Sequence, residues 1–586
     1  MPEEYDVLIK NAFIVDGTGA SGYKGSVAIK GERIVAVGAV EGEGKTIIDA
    51  KGMAVTPGFI DVHNHGDMTI MYYPKADGFV RQGITTFVGG NCGSSPGPYG
   101  DLVNLGMMAS DIIQELSPDM YYPSGLFRRE VVNPRHRELF GWEIDWHTLG
   151  EFFKKLGTRG ISPNYAPLLG HHPIRIMAMG TDHRHQATPA EVEEMKKHVR
   201  QAMIDGCLGM SAGRDYDSYY ADFDELVALA KVVAEYGGLY ACHSLRTGLR
   251  RARRPGEPAP IKINGLLETI DVGRKAKIPV QISHLGALYD VMPAIDSELN
   301  EAAARATLKI VDDARKEGID VTFDVIPGIR GFGTSTNIWL VGSLTPWLRV
   351  TGSREQLAKA LRMREFRQEI KDRIWEGKYY GLNPNINPNW AQGINILESK
   401  DSRFVNKTIA QIAKELGVDP LDALMDVIVA DPYAKVGSYG RGVSPTRWMF
   451  FQHPACMVGV DTNAVDTSHI GKQPPWSLPS ENSFGGFALY FKLAVRENKV
   501  LSLEEAVRKV TSLPAAKFKL RDRGVLKAGA YADIVVMDPA TVDFKATPLN
   551  PRVYPEGIPY VLVNGRPVVK DSQHTGATPG KVLRRE

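Results

Sequence analysis

The sequence predicts an α/β protein: a (β/α)8 TIM barrel carrying a small β-sandwich formed from its N- and C-terminal segments. Three observations lead there. Through the middle of the 586-residue chain, short apolar runs of strand length alternate with segments of helical period. Both ends have a β-rich texture that the middle lacks. Six residues able to bind a metal each close an apolar run, where a barrel of parallel strands opens its active site.

Taken in order, residues 1–57 read as short strands and turns: DVLIKNAFIVDG, GSVAIKGERIVAVG and KTIIDAKGMAVTPG alternate apolar residues around Asp-Gly and Lys-Gly breaks. Residues 58–515 are expected to form the barrel. Its strand candidates are GFIDVHN, ITTFVGGN, NYAPLLGHH, GCLGMSAG, GLYACHS, IPVQISHL, DVTFDVIP and CMVGVD. Such near-continuous apolar runs suit parallel strands covered on both faces. Between them, EVEEMKKHVRQAMID, DFDELVALAKVVAEY and EAAARATLKIVDDARKEG carry a helical period. Insertions are expected near 96–160, rich in aromatics and arginine, and near 327–450. Loops of that length cover an active site or mediate contacts in a homo-oligomer. Residues 516–586 return to β texture in YADIVVMDP and GIPYVLVNGRPVVKDS, which is expected to complete the sandwich begun by 1–57.

Composition narrows the function classes. A hydrophobic content of 43% with 24% charged residues is ordinary for a globular chain. A net charge of +2 supplies no field for nucleic acid, and no apolar run is long enough to span a membrane. The N-terminus is acidic and then β-like, unlike a secretory leader, so a cytoplasmic location is expected. Cys92, Cys207, Cys242 and Cys456 are too scattered for a disulfide framework. Buried thiols are expected at the last three.

The candidate ligands are His63, His65, Cys92, His243, His284 and Asp461. An imidazole or thiolate fixed at the open end of a buried strand is what a catalytic divalent cation needs, so the pattern points to a metallohydrolase. His171 and His172, at the end of the third strand candidate, are candidates for substrate contact or for structural roles. Asp324 is expected to be a buried, hydrogen-bonded carboxylate, with lining the site as the alternative. A basic run at Arg246, Arg250, Arg251, Arg253 and Arg254 either holds an acidic substrate group, with Arg246 nearest the strand, or is a solvated loop.

Several of these segments also carry a family resemblance. PGFIDVHNHGD, the GGNCG turn, the SH of QISHL and the aspartate of VGVD resemble the amidohydrolase superfamily, and within it the N-acyl-D-amino-acid deacylase (D-aminoacylase) branch. The stretch LSLEEAVRKVTSLPAAKFKLRDRGVLKAGAYADIVVMDP is similar to that branch almost end to end. Many members of the superfamily bridge two metals with a carboxylated lysine on strand four. GCLGMSAG has no lysine, and the resemblance implies that Cys92 takes the bridging place. It further implies a tightly bound zinc on Cys92, His243 and His284, and a weaker second site on His63, His65 and Asp461. Metal-activated water would attack an amide carbonyl, with Asp461 serving as base and then as acid.

The chain departs from the branch at substrate positions. The lysine that binds the substrate carboxylate is replaced by Gly286. Arg246 stands three residues after the strand-five histidine instead of two. The tyrosine-containing strand-seven ending is replaced by DVIPG. The expected activity is zinc-dependent hydrolysis of a small-molecule amide, most simply an N-acyl (D-)amino acid. The alternatives are a ring-opening hydrolase of cyclic amides, imides or hydantoins, and a non-catalytic metal-binding scaffold.

Overall fold

The computed structural model describes residues 4–104, 126–245, 262–288, 297–328, 340–375, 382, 390–438, 446–465, 480–547 and 550–585. Among these, the chain folds as a mixed α/β protein in which two sets of parallel strands underlie one mixed sheet built from both termini.

The terminal sheet has nine strands. Ile534–Met537 pairs antiparallel with Ala54–Pro57, in register from Ile534 opposite Pro57 to Met537 opposite Ala54. Glu4–Ile14 lies next to Ala54–Pro57 and pairs with Tyr23–Lys30 on its other side. On the far side of Ile534–Met537 follow Tyr560–Val563 and Arg566–Lys570. Ile9, Ile14, Val27, Ile34, Val55, Ile534, Val536 and Leu562 form one buried cluster, so neither terminal segment completes its apolar face alone.

The parallel strands arise at the apolar runs of the sequence. Phe59–Asp61, Ile84–Gly89 and Asn164–Pro167 form one parallel set. Leu169–Gly170, Gly209–Gly213, Leu239–His243, Val280–Ile282, Val321–Val325 and Cys456–Val458 form the other. Every residue in these strands is buried, which is why they read as runs and not as alternations. Only Leu168 separates the two sets along the chain, and its N–H donates to Gly89 O. At the other border Asp461 N donates to His63 O at 2.8 Å.

Helices between strands start on side-chain caps. Thr148 with Glu151, and Thr188 with Glu191, make reciprocal capping boxes, and Asp222 caps Phe223–Glu235. The aromatic residues after the second strand pack inward: Trp142 stacks on Trp146 at 6.2 Å, and Trp146 lies 5.1 Å from Phe152. The described part of 327–450 encloses a separate apolar core of Leu340, Trp347, Leu357, Ile370, Ile396, Ile412, Leu424 and Val436, among others. It also has its own two-stranded sheet, Ile394–Glu398 against Lys435–Ser438. No helix among the described residues is long and apolar enough to cross a membrane. All four cysteines are buried and free of disulfides.

Candidate metal centre

His63, His65, Cys92, His243, His284 and Asp461 come together at the C-terminal ends of the parallel strands. Cys92 Sγ lies 3.3 Å from His63 Nε2, 3.5 Å from His243 Nδ1 and 3.7 Å from His284 Nε2. Asp461 Oδ1 lies 3.5 Å from His63 Nε2 and 3.3 Å from His65 Nε2. Donors about 2.0–2.3 Å from a common ion stand roughly 3.3–3.8 Å from one another in a tetrahedron, so the spacing fits a bound cation. The donor set of one thiolate, four imidazoles and a carboxylate suits zinc or a similar borderline-soft ion.

Local structure explains how each donor reaches the cluster. Asp61 ends the first parallel strand and accepts from the backbone N–H of His63 (3.2 Å) and of Val460 (3.1 Å), which clamps the first strand's end to the last. Asn64 Nδ2 donates to its other oxygen. Burial pushes the Asp61 carboxyl up to about 7 against these bonds. The clamp needs Gly459, because a Cβ there would meet His63 Cβ at 2.3 Å. Gly213 is required on the other side of the cluster, since a Cβ there would strike Cys92 O at 2.1 Å.

Three of the six adopt left-handed backbone: Cys92 at φ 52°, His284 at φ 38° and Asp461 at φ 49°. Left-handed backbone in non-glycine residues costs energy and is concentrated at functional sites. Each such turn bends the chain at the strand end and brings the side chain over the cluster.

Carboxylates outside the cluster orient the imidazoles. Asp215 Oδ2 lies 3.2 Å from His243 Nε2, leaving Nδ1 toward Cys92. Asp324 Oδ2 accepts from the His284 N–H at 2.8 Å and stands 3.4 Å from His63 Nδ1, and its Oδ1 accepts from Gln281. Such partners fix tautomer and ring orientation in metal sites. Tyr216 packs its ring edge-on to His243 at 4.8 Å. Asp324 is thus the buried, hydrogen-bonded carboxylate expected. Asp215 and Tyr216 were missed; their one signal was a position just beyond the strand Gly209–Gly213.

Charge within the cluster favours its ligand forms. Burial pushes the Cys92 thiol up, but His63, His243 and His284 outweigh it and hold the thiol well below its usual value. Burial likewise opposes ionisation of Asp461, and His63, His65 and His284 overcome it.

Of the two histidines left between substrate contact and a structural role, His171 takes the structural one. His171 is fully buried at the start of the helix His171–Met179, with Nδ1 on Ser218 Oγ (2.9 Å) and Nε2 on Glu225 (2.8 Å). Both ring nitrogens are committed, so it has nothing to offer a substrate. His172 faces away from the six-residue cluster, toward His183 and Asp217. Arg246, with Arg250, Arg251, Arg253 and Arg254, lies outside the described residues.

Glu225 also binds Arg175 Nη1 at 2.6 Å, making a buried ion pair beneath His171. Burial alone would raise the Glu225 carboxyl, yet His171 and Arg175 bring it down to about 2 from the usual 4.5. Its stabilising contribution is therefore complete above about pH 4.5 and is lost as the pH falls toward 2. Glu225→Gln leaves Arg175 buried without a counter-charge and is expected to destabilise the fold by about 3–5 kcal/mol. Denaturant titration at pH 7 measures this, and the gap from the parent should narrow below pH 4.

Comparison with known proteins agrees with this picture. The profile of the amidohydrolase family matches residues 46–370 and 406–569; the gap falls within the segment that has its own core. An N-acyl-D-glutamate deacylase of Alcaligenes xylosoxydans xylosoxydans is 28% identical over 593 residues, spanning 100% of this chain and 98% of its own. The crystal structure of N-acyl-D-glutamate deacylase from Bordetella bronchiseptica, in complex with zinc and a phosphonate mimic of the tetrahedral intermediate, superposes with a TM-score of 0.70. It is 27% identical, over 99% of this chain and 100% of that one. A structure of D-aminoacylase, solved to define the role of its binuclear metal centre, gives 0.69 at 26% identity, with coverage of 99% and 100%.

Proposed function

The chain belongs to the amidohydrolase family, and from that premise we propose that it is a zinc-dependent hydrolase cleaving the amide of an N-acyl amino acid, of the D series by similarity to the deacylases. The observation that carries the reading is the convergence of Cys92 with His243 and His284, beside Asp461 with His63 and His65. We read the two parallel sets as one (β/α)8 barrel over residues 58–515. The short link at Leu168 and the bonds between the first and last strands support that closure. The shared terminal sheet supports grouping 1–57 with 516–586 as the second domain.

In this reading Cys92, His243 and His284 hold one zinc, and His63, His65 and Asp461 offer a second, weaker place. A zinc bound there supplies Lewis acidity that makes water nucleophilic near neutral pH and polarises the scissile carbonyl. The chain's own residues do the rest. Asp461, kept ionised by the imidazoles around it, accepts the proton of the attacking water. Its protonated carboxyl then donates to the departing nitrogen as the C–N bond breaks, and the carboxylate is restored. His65 and His63 fix Asp461 Oδ1 through this exchange. Asp215 and Asp324 keep His243 and His63 from turning.

The test is a panel of N-acetyl and N-formyl amino acids of both hands together with cyclic imides and hydantoins, assayed with the zinc-loaded enzyme. Turnover of D-configured N-acyl amino acids is expected. Gly286 favours one other reading, because the side chain that would hold a substrate carboxylate is missing there; turnover of cyclic amides alone would establish a ring-opening hydrolase instead. Gly286 is exposed, and a Cβ added to it would meet no atom of the described residues within 4 Å. Gly286→Lys should therefore be accommodated and supply a charge-assisted bond of about 1.5–3 kcal/mol to a carboxylate. The expected result is at least a roughly tenfold lower KM for N-acyl-D-amino acids, with hydantoins unaffected.

A further inference from the structure

Beside the cluster, and sharing no residue with it, a second group of metal-binding side chains converges. His172 Nε2 and His183 Nε2 stand 3.3 Å apart, and Asp217 Oδ2 approaches both, His183 at 3.5 Å and His172 in closer contact. We propose that His172, His183 and Asp217 form a separate site for a divalent transition ion, zinc by its donor set, that shares no ligand with the Cys92 centre.

The donors are fixed before any ion arrives. His172 begins the helix His171–Met179, and its N–H donates to Gly93 O at 2.8 Å, one residue from Cys92. His183 follows the turn Gly180–Asp182, and its carbonyl accepts from Arg175 Nη2 at 3.0 Å. Asp217 opens the turn Asp217–Tyr220. Arg184 Nε donates to Asp217 Oδ1 at 2.9 Å, which turns Oδ2 toward the two imidazoles. Asn104 Nδ2 lies 3.4 Å from His172 Nδ1, and turning that amide over by half a turn puts its oxygen where it accepts from Nδ1–H when Nε2 is the ligand. His183 is fully buried and His172 nearly so, while Asp217 is largely covered.

Two facts favour an ion over a hydrogen-bonded triad. The spacing of the Nε2 atoms matches an edge of a tetrahedron whose donors lie about 2.0 Å from zinc. Without an ion, the triangle of two Nε2 atoms and Oδ2 is held either by two N–H groups on one carboxylate oxygen or by one imidazole donating to the other, whereas a single ion takes a lone pair from each of the three at once. Two imidazoles and one carboxylate leave a fourth position for water, and zinc accepts that set. The ion would tie the loop after the helix to the segment that carries Asp215 and Tyr216 onto His243. The site goes beyond the hydrolytic reading and stands whatever the substrate.

The full-length enzyme loaded with zinc and dialysed is assayed for metal by mass spectrometry, alongside His183→Gln and Asp217→Asn. Each variant is checked for the parent's circular dichroism. The same proteins loaded with cobalt report the Cys92 centre through thiolate-to-cobalt absorption. The expected result is one equivalent less metal in both variants, with that absorption unchanged. Equal metal content in all three proteins would overturn the proposal. So would loss of metal in step with loss of the thiolate absorption, because the residues would then only support the Cys92 centre. Asp217→Asn keeps the side chain's shape, so it remains informative if the histidine variant fails to fold.

Discussion

Asp461→Asn is expected to lower kcat by about 10²–10⁴-fold, the range that one positioned acid–base group contributes, with KM and the metal bound at Cys92, His243 and His284 little changed. Asparagine is the most informative replacement because it leaves the scaffold alone. Residue 461 sits at φ 49°, a conformation that asparagine tolerates better than most residues. Its N–H bond to His63 O does not involve the side chain. What is lost is a buried carboxylate that His63, His65 and His284 keep ionised. Without it the water's proton has no acceptor and the leaving nitrogen no donor. Steady-state kinetics with metal analysis on the same preparation checks this. A variant within about threefold of the parent would move the proton transfer to another group.

The sequence made the parallel strands legible because they are buried on both faces, and a strand without a wet face reads as an unbroken apolar run. It made the six donors legible for the same reason: each stands at the end of such a run or within a few residues of it, as His243 follows LYAC. The separate core of the segment after Val325 was invisible, because its helices look like any surface helices until Leu340, Ile396 and Val436 are seen facing one another. His171 stayed open between substrate contact and a structural role because a histidine at a strand end looks open to the active site. Its true partner, Glu225, lies 54 residues further along. His183 and Asp217 escaped notice because their loops meet only in three dimensions. The left-handed turns at Cys92, His284 and Asp461 were equally hidden, since no residue type there announces them.

Those turns bear on the second large effect. Cys92→Ala is expected to weaken the tighter metal site by more than the roughly 10–100-fold that removal of an outer partner costs, and activity at limiting zinc should fall with it. Asp215→Asn, which removes such an outer partner of His243, supplies that comparison. The reason lies in the geometry: Cys92 Sγ lies within 3.7 Å of His63, His243 and His284 together, so it links both halves of the cluster. The metal-free protein should also be weakened, by a different route. Without an ion, His63, His243 and His284 hold the Cys92 thiol well below its usual value, so at neutral pH the thiolate stabilises the fold relative to the unfolded chain. Alanine keeps the left-handed turn but leaves those imidazoles without the thiolate, so the chelator-treated variant should melt lower than the chelator-treated parent. With zinc added, the parent should melt higher, because an ion that binds only the folded state adds its binding free energy to stability. Chelator competition and paired melting curves measure both halves of the expectation. Undiminished zinc affinity in Cys92→Ala would shift the tight site to His63, His65 and Asp461. It would also leave the thiol without the bridging role that its position between the two groups supports.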